Sequence, residues 1–123
     1  MFSAKHIAIL LMISHERFAE DYTLIKILDR IWFPCELREN IDYLVLHGMI
    51  QPYIRQSINH DYRLTPKAEY YILKNNIIEQ FNNDVEFSKA GSFEKEFLNN
   101  LYNRLLEDNR HPPTQGKKEK RAD

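Results

Sequence analysis

The sequence predicts a mainly α-helical chain with one small β-hairpin. Apolar residues recur at helical spacing in five segments, at residues 3–14, 22–30, 34–47, 66–81 and 92–107. Between the third and fourth segments, residues 53–64 hold two short aromatic and β-branched stretches around a polar tip, which is typical of a hairpin. Only 3 Gly and 5 Pro occur among 123 residues, so fibrous and low-complexity classes are excluded.

The composition is that of an ordinary globular protein, with 43% apolar and 28% charged residues. No apolar run approaches the ~18 residues of a membrane span, and we expect no signal peptide. A single cysteine, Cys35, cannot form an intrachain disulfide, which favours the reducing cytoplasm. No metal-ligand spacing and no phosphate-loop motif is present, so we expect no metal, no cofactor and no enzyme.

Local signals place the ends of the first three helices. Ser3 can cap the first helix, which is apolar nearly all round and should therefore be buried on several sides. Asp21 or Thr23 is expected to cap the second. Pro34 suits the first turn of the third helix, and Gly48 suits a left-handed cap after its end.

The later elements follow the hairpin. Thr65 and Pro66 open a fourth helix that is predicted to continue to Phe81. Residues 82–91 are predicted to be a polar connector, and Ser92 caps the last helix. We therefore expect a domain at residues 1–82, a connector and last helix at 83–109, and a disordered polar tail at 110–123.

Formal charge is spread unevenly along the chain. It sums to −2 over residues 1–50, +1 over 51–82, −3 over 83–109 and +3 over 110–123. Local basic clusters, more than whole-chain charge, create affinity for phosphates. The middle and the tail therefore point weakly to a polyanion, while a solvated surface of mixed charge remains the simpler interpretation.

The order of three helices, hairpin and helix is the layout of a winged helix-turn-helix. Residues 44–50 (LVLHGMI) resemble the end of the third helix in MarR-like and PadR-like regulators. Residues 62–68 (YRLTPKA) resemble the exit from their wing into the next helix, with Ala68 where that family usually has glycine. The resemblance covers about residues 20–75. It implies a sequence-specific protein that binds double-stranded DNA, as a transcriptional regulator does.

In that family the exposed side of the third helix enters the major groove. The helical spacing here turns Leu37 and Ile41 into the core. It leaves a solvent face of Cys35, Glu36, Arg38, Glu39 and Asp42. Arg38 is the best candidate to grip a guanine with two hydrogen bonds, and Glu36 or Glu39 could accept from a cytosine amino group. The acids oppose phosphates, so an alternative is a winged-helix module that binds a protein partner through this acidic face.

The resemblance also implies that the hairpin, as a wing, contacts DNA. Arg55 and Arg63 lie on its two strands, and Ser57, Asn59 and His60 form its tip. Lys26, Arg30 and Lys67 could add contacts to the DNA backbone. Ordinary surface solvation remains the competing interpretation for these arginines. Cys35, near a helix N-terminus, could act as a redox sensor, but an inert thiol is the simpler expectation because Glu36 disfavours a thiolate.

The last helix carries an apolar stripe that needs a partner. Its residues are Phe93, Phe97, Leu98, Leu101 and Leu105. The stripe can pack back on the first helix or pair with the same helix of another chain. MarR-like and PadR-like proteins dimerise through terminal helices, so the resemblance implies the second arrangement, a homodimer.

Overall fold

A computed structural model describes residues 2–54 and 60–110. The chain is mainly helical and has a two-stranded antiparallel hairpin. The elements are α1 (Ala4–Ile13), α2 (Asp21–Leu28), α3 (Pro34–Leu46), β1 (Ile50–Ile54), β2 (His60–Leu64), α4 (Pro66–Lys74), α5 (Ile77–Asn82), α6 (Val85–Ser88) and α7 (Ser92–Arg110), with a 3-10 turn at Glu16–Phe18. Among the described residues, no helix is both long and apolar enough to cross a bilayer.

Helix α1 lies at the centre of the core. Every side chain from Ile7 to Ile13 is buried, which confirms that this helix is enclosed on several sides. It contacts α2, α3, α5, α7 and β2. The surrounding elements are therefore positioned mainly by their contacts with one apolar helix.

Helix α3 has the bounds that the sequence predicts to within one residue. Pro34 occupies its first turn, where a missing N–H costs nothing. After its end, Gly48 has a φ of +72°, in the left-handed region that favours glycine. The Thr65 hydroxyl then donates to the Gly48 carbonyl at 2.7 Å, and its oxygen accepts from the Ala68 N–H, so the predicted cap of α4 is confirmed.

The hairpin begins three residues earlier than predicted. Strand β1 starts at Ile50 and includes Pro52, which the sequence analysis left outside the strand. Proline is tolerated because β1 is an edge strand. On its other side, β2 forms a single bridge with Glu20, and the Tyr62 N–H donates to the Ala19 carbonyl at 3.1 Å. The hairpin is thereby attached to the start of α2.

Three other local expectations are wrong. The second helix begins after Glu20, so neither Asp21 nor Thr23 is its cap. The predicted helix 66–81 is broken at Asn75 and Asn76, where the Asn76 side chain accepts from the Glu79 N–H and starts α5 instead. The connector at 82–91 contains the short helix α6, because the Asp84 carboxylate caps it and Phe87 is buried.

The leucines of the last helix have a partner within the chain. Leu98, Leu101 and Leu105 are buried, and α7 packs against α1. The stripe therefore packs back on the protomer's own core, which is the first of the two arrangements considered, and pairing of this helix with another chain remains a prediction. Phe97 is half-buried, and Phe93 remains exposed. The sequence predicts a disordered tail at residues 110–123. From residue 111 onward, this tail lies outside the described part of the chain.

An aromatic cluster joins the N-terminus to α3. The Phe2 ring makes edge contacts with His6, Tyr43, His47 and Tyr71 at 5.1–6.5 Å between centroids. The Ser3 N–H donates to Nδ1 of His6 at 3.0 Å, which requires that nitrogen to be unprotonated. Burial, with the positive charges of Lys5, His47 and the N-terminus, lowers the pKa of His6 from 6.5 to about 4, while Asn40 acts in the opposite direction.

We expect Gly48→Ala to lower the free energy of unfolding by about 1 kcal/mol, because an alanine resists the left-handed backbone. A β-carbon at this position would meet nothing within 4 Å, so steric clash adds no cost. Chemical denaturation measures the change. Gly48→Asn is the matched control and should lose less, since asparagine tolerates this conformation. Equal losses in the two variants would contradict the backbone explanation.

His6 should make stability depend on pH between 6.5 and about 4. The unfolded chain binds a proton near pH 6.5, whereas the folded chain resists it until about pH 4. The free energy of unfolding therefore does not depend on His6 above pH 6.5, and it falls as the pH drops from 6.5 to about 4. Denaturation of wild type and His6→Gln across this range isolates the effect, because the carboxylates are common to both. Parallel pH profiles would contradict it.

Candidate nucleic-acid interface

The solvent face of α3 is arranged largely as the sequence predicts. Leu37 and Ile41 are buried, whereas Arg38, Glu39 and Asp42 are exposed. Cys35 is an exposed thiol in the first turn. One residue departs from the expectation: Glu36 is half-buried, because its carboxylate accepts from the Lys5 ammonium at 3.0 Å.

The Lys5–Glu36 pair changes the expected role of Glu36. Its oxygen is engaged by α1, so its carboxylate ties α3 to the central helix. A cytosine contact from this side chain would have to break that pair. Of the two glutamates considered as cytosine acceptors, Glu39 is the one whose side chain lies on the open face.

Arg38 lies beside a buried carboxylate. Its Nη1 atom is 3.8 Å from Oδ2 of Asp21, and the two side chains are 59% and 10% exposed. The other oxygen of Asp21 accepts from the Tyr22 N–H at 2.6 Å, at the N-terminus of α2, where a helix favours negative charge. Asp21 therefore attracts one edge of a guanidinium that is largely open to solvent.

The charges around Arg38 also affect the pKa of Tyr62. Burial raises the pKa of this tyrosine, the charges of Asp21 and Asp42 raise it further, and Arg38 alone acts in the opposite direction. Arg38 therefore lies in the same neighbourhood as two carboxylates that also act on Tyr62 of β2. Phosphates are repelled from such a site, whereas a neutral base edge is not.

Four residues form a line along the centre of the α3 solvent face, and the sequence analysis named only three of them. Residues 35, 39, 42 and 46 follow one another at spacings of four, three and four, so they share one side of the helix. Two of them are acids, Glu39 and Asp42, and the last is Leu46, which is 80% exposed. The sequence analysis missed Leu46, although its position in the same stripe as Cys35 could have revealed it.

Only part of the predicted wing can be placed. Arg63 is exposed on β2, opposite Gln51. Arg55, Ser57 and Asn59 lie outside the described residues, as does the side chain of His60, whose backbone pairs with Ile54. Lys67 is exposed, but its ammonium donates to the His47 carbonyl at 2.9 Å, next to the end of α3. This cation therefore caps a helix C-terminus.

Lys26 and Arg30, two candidates for contacts to the DNA backbone, lie on the same side of the molecule as α7. Both line a groove between α2 and α7. The Lys26 ammonium is 5.7 Å from the centre of the Tyr22 ring, and Arg30 pairs with Glu94 of α7 at 3.4 Å. Arg30 remains 67% exposed in this pair, and its contact with a DNA backbone stays a prediction.

The α2–α7 groove has a volume of about 330 Å³. Its lining is Tyr22, Thr23, Lys26, Ile27, Leu28, Arg30, Ile31, Phe93, Glu94, Phe97 and Leu98. Tyr22 and Phe93 are 58% and 67% exposed and stand at its edges. Sequence analysis could not find the groove, because its two walls are more than sixty residues apart.

No group of three or more potential metal ligands occurs among the described residues. The comparisons with known proteins add no relative: no family model, no curated protein and no solved structure matches this chain.

Proposed function

We propose that the chain is a winged-helix DNA-binding protein that acts as a homodimeric transcriptional regulator, with α3 in the major groove and the hairpin on the adjacent backbone. The order of the described elements supports this proposal. Helices α2 and α3 are in contact, and the hairpin follows α3 and is attached to the start of α2. In helix-turn-helix proteins the second helix of the pair reads the bases.

The observation that carries the proposal is the guanidinium of Arg38, which lies beside Asp21. An arginine that is held on one edge and open on the other is suited to donate two hydrogen bonds to guanine O6 and N7. The carboxylate of Asp21 reduces the number of positions that Arg38 adopts, so less conformational entropy is lost on binding. Asp21 is therefore a positioning residue.

The acids on the face determine what kind of DNA binding is expected. Glu39 and Asp42 oppose phosphates, so affinity that is independent of sequence should be low. A carboxylate can accept a hydrogen bond from a cytosine amino group. We therefore expect the solvent face of α3 to recognise a G·C pair, with Arg38 contacting the guanine and an acid contacting the cytosine. Phosphate contacts are left to the hairpin, where Arg63 is the exposed cation that the structure describes.

A second function is favoured by the line of residues 35, 39, 42 and 46. An exposed leucine at the end of an acidic helical face matches a basic, partly apolar protein surface. In this alternative the chain is an interaction module, and Arg38 stays paired with Asp21. The two functions predict opposite results with duplex DNA.

Arg38→Ala should reduce discrimination at one G·C pair by about 10- to 100-fold, and Asp21→Asn should reduce it partly. A duplex selected from a random pool, and the same duplex with that pair inverted, are titrated with each variant. Lys89→Ala, an exposed cation between α6 and α7, is the matched control. Since Asp21 is buried, far-UV circular dichroism must show that Asp21→Asn is folded.

The outcomes of that titration separate the parts of the proposal. If Arg38→Ala loses discrimination but Asp21→Asn retains all of it, the positioning role is wrong and DNA binding stands. If wild type binds no duplex in a salt-sensitive way, DNA binding is wrong. The acidic line of α3 then becomes the first surface to test with basic peptides.

Arg63→Ala should weaken binding to all duplexes equally and reduce the salt slope of log K by about 0.9, the value for one lost phosphate contact. Glu39→Gln should act in the opposite direction on random duplexes, because it removes a charge that phosphates repel. Fluorescence anisotropy at two salt concentrations measures both. A change confined to one sequence in Arg63→Ala would assign this side chain to base reading instead.

A further inference from the structure

The solvent face of α3 ends on an apolar side chain that the fold hardly uses. Leu46 is the last residue of the helix and is 80% exposed, more than any other large hydrophobic residue that the structure describes. Leu37 and Leu44 of the same helix are buried, so α3 is held on the core from its other side. At about 3.6 residues per turn, Leu46 points directly away from that buried side, in line with Glu39 and Asp42.

We propose that Leu46 is a base-reading residue that contacts the 5-methyl group of a thymine, so that the DNA recognised by α3 carries an A·T pair at this end of the helix. The inference rests on the proposed function, which lays α3 in the major groove. In that groove thymine is the base that presents a methyl group, and apolar side chains contact it. Leu46 is the aliphatic member of the line of residues 35, 39, 42 and 46, whose other members are a thiol and two acids.

The neighbouring acid narrows the choice of base pair. Asp42 is exposed and lies one turn before Leu46, a spacing that puts the two Cβ atoms about 5–6 Å apart. Its carboxylate opposes phosphates but can accept from an amino group, which both cytosine and adenine present in the major groove. An acid alone therefore does not distinguish these two bases. Asp42 and Leu46 together match an A·T pair, because that pair presents an amino group and a methyl group side by side.

The position of Leu46 along α3 predicts the spacing of the two recognised base pairs. Arg38 and Leu46 are eight positions apart, which is about 12 Å along the helix axis at about 1.5 Å per residue. One base-pair step rises about 3.4 Å. The A·T pair should therefore lie about three to four base pairs from the G·C pair that Arg38 reads.

The experiment is a uracil scan of the duplex that the full-length wild type selects from a random pool. Each thymine is replaced in turn by deoxyuridine, which removes the methyl group and keeps the pairing with adenine. At one thymine, about three to four pairs from the guanine, the wild-type Kd should rise about 4-fold, the factor for one buried group of this size. Leu46→Ala should bind the thymine and uracil duplexes equally, as measured by fluorescence anisotropy.

Val85→Ala is the matched control for the loss of an exposed aliphatic side chain. Val85 is 59% exposed and lies on α6, away from the α3 face, so this variant should keep the full uracil effect. Leu46→Ala should also keep the discrimination at the G·C pair that Arg38 provides. The two base contacts are thereby measured independently on the same duplexes.

Four outcomes overturn the inference. They are a selected site without a thymine at that distance, a scan in which no uracil weakens binding, a uracil effect that persists in Leu46→Ala, and an equal loss by Leu46→Ala on the thymine and uracil duplexes when each is compared with wild type. If Arg38→Ala still loses discrimination at the G·C pair in these cases, the proposed function stands without a thymine contact. A wild type that binds no duplex in a salt-sensitive way overturns both.

Discussion

The enclosure of α1 is the constraint on which the rest of the structure depends. Its side chains from Ile7 to Ile13 are all buried, and a helix that is apolar on every side is stable only when other elements surround it. Helices α2, α3, α5 and α7 and strand β2 all contact it. Burying a side chain of this size contributes about 1.5–3 kcal/mol, so removing any covering element exposes several such contributions together. This requirement explains why the leucines of α7 are used within the protomer.

The same constraint orients the candidate site. Because Leu37, Ile41 and Leu44 of α3 must face the core, the residues between them must face solvent. Glu36 lies at the boundary, where Lys5 of α1 binds it. The half-buried glutamate and the exposed Arg38 thus have different surroundings although they are two positions apart: Glu36 is paired with α1, and Arg38 lies beside Asp21 with most of its side chain in solvent.

Features determined by neighbouring residues were predictable from sequence. Pro34, Gly48 and Thr65 mark helix ends through backbone preferences that act within one turn, and all three behave as expected. The break before α5 was missed because apolar periodicity continues across it, although Asn76 is a good cap. Pairs such as Arg30–Glu94, 64 positions apart, depend on tertiary contacts that periodicity does not contain. For that reason the sequence could not predict that Lys26 and Arg30 line the groove between α2 and α7.

These long-range pairs decide what the charges of the chain can do. Arg30 is held by Glu94, Arg38 lies beside Asp21, and Lys67 caps the end of α3, so cations counted in the sequence are engaged within the fold. A cation paired with a carboxylate contributes little long-range attraction to a polyanion, because the negative partner cancels most of its field. Lys67, whose partner is a neutral carbonyl, keeps its charge. A paired cation can still donate the hydrogen bonds that its partner leaves open. Under the proposed function, such a surface would bind random DNA weakly and discriminate by base-edge contacts, so its selectivity would come mainly from Arg38 and the adjacent acids on α3.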